Sequence, residues 1–261
     1  MNTVTSQDGT KIAFDQSGQG PALILVDGAL CYRGFGPMAA LAPLLTDHFT
    51  VYQYDRRGRG ESADTAPYSK TREIEDIAAL IQAAGGSAYV YGTSSGAALA
   101  LEAAAHGLNI PKVIAYEPPY LVDDSRPDFP QDYFEQLSGI VNAGRRGDAV
   151  EYFMVSMVGM PAEAAAPMRH APMWPLLEAV APTLVYDATI MGDFSLPVAT
   201  LAQVTVPTLV VNGSETSQQI KSAAQAVAAA LPNAQHRILD GQGHDVAPDA
   251  IAPVMIDYFT A

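Results

Sequence analysis

Two adjacent serines lie between two glycines in the stretch YGTSSGAAL, residues 91–99. A serine hydroxyl becomes a nucleophile when a base can take its proton and when it stands clear of its own backbone. Numbered on Ser94, the stretch reads Gly92-x-Ser94-x-Gly96. The residues before it, SAYV, resemble the end of a buried strand, and those after it, AALALEAAAH, have helical composition. A serine held in a tight strand-to-helix turn needs small residues two positions either side, because the backbone passes close there. Numbered on Ser95, those positions would be Thr93 and Ala97, and threonine is β-branched and stiff where space is short. Ser94 is therefore the expected nucleophile. Ser95 opens the helix, and its backbone N–H is expected to donate to a developing oxyanion. The plainer alternative is a glycine-lined turn without chemistry.

A nucleophilic serine needs a base. Of the five histidines, His244 lies in DGQGHDVAPD, a Gly-flanked loop between a strand ending at Leu239 and the last helix. His48 precedes a strand, and His236 falls inside a strand pattern. His106 ends a helix, where its charge suits the dipole, and His170 lies in an irregular central region. His244 is the expected base.

These residues need a scaffold. Strand-like segments occur around Asn2–Ser6 and Lys11–Asp15, at Ala22–Val26, Phe49–Asp55, Ala88–Tyr91, Lys112–Tyr116, Pro207–Val211 and Gln235–Leu239. Helical patterns fall between them, at Pro37–Leu45, Lys70–Ala84, from the serine turn to His106, at Ser217–Leu231 and at Ile251–Phe259. In the second, Ile74, Ile77, Leu80 and Ile81 recur at helical spacing, with charges expected on the opposite face. From Tyr120 to Thr200 the alternation stops, and short helical pieces such as Gln131–Ala143 and Asp148–Val158 appear. Strands alternating with helices on both sides of an irregular insertion predict one mostly parallel α/β sheet. The expected division is a core of residues 1–119 and 201–261 and a mainly helical lid, residues 120–200.

Composition narrows the function classes. The 261 residues are 49% apolar and 16% charged, which suits a globular chain. No apolar run reaches the length of a membrane span. The formal net charge of −14 repels phosphate backbones, so nucleic acid is an unexpected partner. A single cysteine, Cys31, excludes an internal disulfide and a cysteine-based zinc cluster. The start, MNTVTSQDGTK, has neither a basic beginning nor an apolar core, so a cytoplasmic location is expected, with no secretory leader.

The segments LILVDGA, YDRRGRGES, GTSSG, NGSE and GQGHD resemble successive landmarks of the α/β-hydrolase superfamily, over nearly the whole chain outside the lid. The resemblance implies that fold and a Ser–acid–His triad, with no metal or organic cofactor needed. Many members carry an aspartate three residues after the glycine that matches Gly213, but here that residue is Thr216 and the acid stands one place early, at Glu215. Other branches take the acid just after the strand that follows the elbow helix, which is Glu117 here. One type of haloalkane dehalogenase has that arrangement, with an aspartate where this chain has Ser94. Glu117 is the expected acid and Glu215 its rival, with Asp123, Asp124 and Asp245 as lesser options. Zearalenone-type lactone hydrolases share an Asp-Gly in place of His-Gly, a Ser-Ser-Gly elbow and a glutamate matching Glu117.

By family position the second oxyanion donor is the Ala29 N–H. Asp27 sits beside it and would oppose negative charge unless turned away or tied to donors, so its expected role is to hold the loop. Arg56, Arg57 and Arg59 are expected to tie down turns, and Cys31 and Tyr32 could line the entrance. The lid is rich in methionine and aromatic residues, and an apolar roof suits a moderately hydrophobic ester or lactone. Trp174 and Met154 are the lid residues expected to meet substrate. Relatives with the same triad cleave carbon–carbon bonds, release cyanide or act as cofactor-free haloperoxidases. A ligand-binding protein on a hydrolase scaffold is the reading of another class.

Overall fold

The computed structural model describes residues 2–123, 126 and 128–261. Asp124, one of the lesser acid candidates, lies outside the described residues. The described residues form an eight-stranded sheet from β1 (Asn2–Thr5), β2 (Lys11–Gly18), β3 (Ala22–Val26), β4 (Thr50–Tyr54), β5 (Tyr89–Thr93), β6 (Val113–Tyr116), β7 (Thr208–Gly213) and β8 (Ala234–Leu239). Their spatial order is β1-β2-β4-β3-β5-β6-β7-β8. Pairs β1–β2 and β2–β4 are antiparallel, and all pairs from β4 to β8 are parallel. The sheet is mostly parallel, as the alternating pattern predicts.

Parallel strands covered on both faces must be apolar on both, and they are. Along β3, Ile24 and Val26 enter one core cluster while Leu23 and Leu25 enter the other. Likewise β6 sends Val113 and Ala115 one way and Ile114 and Tyr116 the other. One face is covered by α2 (Lys70–Ala83), α3 (Ser95–Ala105) and α10 (Gln218–Ala230), the opposite face by α1 (Met38–Leu41) and α11 (Pro248–Thr260). The spacing of Ile74, Ile77, Leu80 and Ile81 points one stripe of α2 inward, and all four are buried. Each such burial is worth about 1.5–3 kcal/mol. The charges of this helix do not all face away. Glu73 and Asp76 are also buried, because Arg56 and Arg57 in the turn after β4 reach over and pair with them.

Between β6 and β7 lie α4 (Tyr133–Asn142), α5 (Arg146–Tyr152), α6 (Ala162–Ala165), α7 (Trp174–Val180), α8 (Leu184–Met191) and α9 (Val198–Leu201). The helical pattern expected over Asp148–Val158 divides into α5 and a π-helical stretch, Phe153–Met157. α8 packs against α2, α3 and α4, so this insertion is seated on the core. The parallel strands β3, β5, β6, β7 and β8 all end on one edge of the sheet, where ligands bind in open α/β sheets. The loops leaving those ends carry Asp27–Leu30, Ser94, Glu117, Ser214–Ser217 and the His244 segment.

Candidate active site

Ser94 occupies the single position between β5 and α3 with φ 55° and ψ −127°. A non-glycine residue there is strained, and such strain persists only where the surroundings over-determine it. They do: the Ser94 N–H donates to the Tyr116 carbonyl at 2.9 Å, and the Ser94 carbonyl accepts from Ala97 N–H at 2.9 Å. Gly92 and Gly96 permit the close passage, since a Cβ on Gly92 would strike the Gly96 carbonyl and one on Gly96 the Val26 carbonyl. Leu30, Ser94 and Glu117, three of the four described non-glycine residues with positive φ, therefore lie at one sheet edge.

Glu117 follows β6 directly, fully buried with φ 49°. Its Oε1 accepts the Gly213 N–H at 2.8 Å. Its Oε2 accepts the Thr216 hydroxyl at 3.2 Å and lies 2.7 Å from His244 Nδ1. β6 borders β7, and β7 borders β8, whose exit loop carries His244; that neighbourhood is why a β6 residue can reach the histidine. The loop is anchored by the Tyr116 hydroxyl on the Gly243 carbonyl at 2.5 Å and by the Glu215 N–H on the Gln242 carbonyl at 2.8 Å. The Glu215 side chain is exposed on the wall of the cavity described below, and its backbone makes that tie. Asp245 is exposed beside His244. Asp123 borders another cavity, lined also by Phe129, Gln131 and Phe134. Two other histidines are engaged elsewhere: His106 Nδ1 meets the Glu102 carbonyl and His236 Nε2 the Asn212 Oδ1.

The loop after β3 is held from behind by arginines. Arg59 Nη1 donates to the Gly28 carbonyl at 2.5 Å and the Cys31 carbonyl at 3.1 Å, and Arg56 Nη1 donates to the Asp27 carbonyl at 3.3 Å. The Asp27 side chain does not hold this loop. It is buried, and among the described residues neither carboxyl oxygen has a hydrogen-bond partner. Burial pushes it up to about 7, against the pull of Arg59 and Arg56. Burial also pushes the Cys31 thiol up to about 12, with the Asp27 charge adding to the effect. Arg57 ties turns as expected, to Asp8 and Asp76. Arg56 and Arg59 do more, since both reach Asp187 on α8.

Asp187 has no counterpart in the sequence reading. It is 4% exposed, and burial alone would raise its carboxyl. Arg59, Arg56 and the Ser95 hydroxyl outweigh burial and hold it below the ordinary carboxylate range. An aspartate in the largely apolar run LVYDATIM was the signal available.

Two cavities meet at Ser94 and His244. The larger, about 580 Å³, is lined by Ala29, Ser94, Ser95 and His244 on the core side and by Tyr133, Phe153, Met157, Leu184, Asp187, Met191 and Phe194 from the insertion. The smaller, about 150 Å³, shares Ala29, Ser94, Phe153, Val158 and His244 and extends over Cys31, Met38, Leu41 and Tyr91. Trp174 and Met154 line neither. Both are buried inside the insertion, where Arg169 stacks over the Trp174 ring, and at the π-helical stretch Phe153 and Met157 face the cavity while Met154 turns into the core. Cys31 lines the smaller cavity; Tyr32 packs beside Phe35. Among the described residues no cluster of side chains could hold a metal ion, and no helix is long and apolar enough to cross a membrane.

The profile of the alpha/beta hydrolase family matches residues 18–254. An alpha/beta hydrolase from Sphaerobacter thermophilus DSM 20745 is 54% identical, with 99% of this chain and 100% of that chain covered and a TM-score of 0.93. A thermophilic esterase from Thermogutta terrifontis, solved with malate bound, is 20% identical over 99% and 97% of the two chains, TM-score 0.72. A bromoperoxidase from Bacillus anthracis is 17% identical over the full length of both chains, TM-score 0.75. The last two share the fold.

Proposed function

The chain belongs to the alpha/beta hydrolase family, and from that premise we propose that it is a serine hydrolase cleaving a carboxylic ester or lactone. The observation that carries this reading is His244 Nδ1 at 2.7 Å from a fully buried Glu117, on the same cavity as a strained Ser94. Glu117 accepts from Nδ1–H and so leaves the lone pair on Nε2, the tautomer a general base needs. Ser94 Oγ attacks the carbonyl carbon while His244 takes its proton. The oxyanion forms against the backbone N–H groups of Ser95 and Ala29, each worth about 10²–10³ in rate. His244 protonates the leaving alcohol, then draws a proton from water as that water releases the acyl group. A lactone keeps both products on one molecule.

The insertion serves as the lid, and its apolar lining favours a substrate of moderate hydrophobicity, with the larger portion in the 580 Å³ cavity. The test is stoichiometric labelling with a fluorophosphonate, peptide mapping, and a panel of p-nitrophenyl esters and lactones. One adduct per chain on Ser94, with turnover of an ester or lactone, is the expected result. No adduct, together with thermal stabilisation by the same compounds, refutes the hydrolase in favour of a binding protein.

A further inference from the structure

The donors expected at the oxyanion hole come from two core loops, after β3 and after β5. One carboxylate from the insertion fastens both. Asp187 Oδ1 accepts the Ser95 hydroxyl at 2.7 Å and Arg56 Nη1 at 2.7 Å. Its Oδ2 accepts Arg59 Nη2 at 2.7 Å. Arg59 then spends its other N–H groups on the Gly28 and Cys31 carbonyls, which bracket Ala29, and on the Thr183 hydroxyl at 3.0 Å, just before α8. Arg56 is gripped by Glu73 through two bonds of 2.7 Å, so two cations face two carboxylates.

We propose that Asp187 is a positioning residue for the oxyanion hole, through which the lid sets the spacing of the Ser95 and Ala29 N–H groups; this rests on the serine-hydrolase reading above. Donors stabilise an oxyanion only within about 2.7–3.1 Å of it, and a misplacement of about 1 Å can cost about 10²-fold. Ser95 is the first residue of α3, so a bond to its side chain fixes the peptide that carries its N–H. The Gly28 carbonyl belongs to the same peptide as the Ala29 N–H, so the Arg59 bond fixes that peptide directly, and the bond to Cys31 holds the turn two residues on. A hydrophobic tie would have joined α8 to the core at less desolvation cost than a buried ion cluster. Only a directional acceptor can pin a hydroxyl and a guanidinium at set angles. The lid is thus coupled to the chemistry at α8.

The test uses the full chain with p-nitrophenyl butyrate, comparing wild type, Ser95→Ala, Asp187→Asn and the double variant. Rates are taken per active site counted by saturating fluorophosphonate. Expected is a fall in kcat of about 10–100-fold for each single variant, with KM within about twofold, since the lost stabilisation is confined to the transition state. The affinity for phenylboronic acid, a tetrahedral mimic, falls by the same factor. The double variant is no slower than Asp187→Asn, because both changes act on one device. A wild-type kcat per site in Ser95→Ala or Asp187→Asn overturns the proposal. So does a raised KM at unchanged kcat, which would make Asp187 a substrate contact. Should Asp187→Asn not fold, Ser95→Ala, which deletes one hydroxyl, decides alone. A wild type that neither takes the adduct nor turns over ester defeats the hydrolase reading itself, whereas active wild type with unaffected variants defeats only the positioning role.

Discussion

Asp27→Asn should change how the stability of this protein depends on pH. The carboxyl is buried, without a hydrogen-bond partner among the described residues, beside Arg56, Arg59 and Asp55, and is pushed up from 3.8 to about 7. Below pH 3.8 it is protonated folded or unfolded. Between 3.8 and about 7 the unfolded chain ionises while the native one keeps its proton, so the unfolded state binds fewer protons and stability falls as pH rises. Above 7 the loss is complete. At about 1.36 kcal/mol per pH unit the rise corresponds to about 4 kcal/mol, of which about 2–3 kcal/mol falls between pH 5 and pH 8. Asparagine has the same shape and does not titrate. Urea unfolding followed by circular dichroism at pH 5, 6, 7 and 8 measures ΔG for both proteins. Every other titrating group is common to both chains and cancels in the difference. The expected result is that Asp27→Asn gains about 2–3 kcal/mol on wild type across that range, with the m-value unchanged. A difference constant to within about 0.5 kcal/mol from pH 5 to 8 would mean that the Asp27 carboxyl is not raised in the native protein.

Glu117→Gln places an amide against Nδ1 and should lower kcat by about 10³–10⁴ on p-nitrophenyl esters, while Glu215→Gln stays within about threefold; the reverse order would move the acid to Glu215. Ser94→Ala should lose ester turnover and fluorophosphonate labelling and keep the melting temperature within a few degrees, as circular dichroism would report. The Cys31 thiol, raised to about 12 by burial and by Asp27, should react with iodoacetamide at pH 8 roughly 10³ times more slowly than an ordinary exposed thiol. Mass spectrometry of timed samples checks this, and rapid alkylation of the folded protein would contradict it.

The sheet was legible because its strands are covered on both faces and read as compact apolar runs, ALILV and VIAY among them, between helices with clear 3.6-residue periodicity. The placement of Ser94 between β5 and α3 follows from glycine spacing, a local signal. The contact of Glu117 with His244 spans 127 positions, and only resemblance to a family brings those residues to mind together. The insertion was poorly legible. Its helices are short, α6 and α9 having four residues each, so periodicity has too little length to register. The π-helical stretch changes the phase of its side chains, and Met154 ends up in the core while Phe153 and Met157 take the cavity wall. Asp187 was hidden for a related reason. A largely apolar helix predicts burial, but the partners that make a buried aspartate tolerable lie 92 and 128 positions away, at Ser95 and Arg59.

On the proposed reading, taking the acid from β6 leaves the exit of β7 largely unemployed in proton transfer. The run from Glu215 to Ile220 borders the cavity at every position, and Thr216 hydrogen-bonds Glu117. On that reading the cavity-lining side chains of Glu215, Ser217 and Gln218 take no part in the proton relay. Mutational drift, or a library targeted to Glu215, Ser217 and Gln218, can retune which molecules are accepted while the proton relay stays as it is.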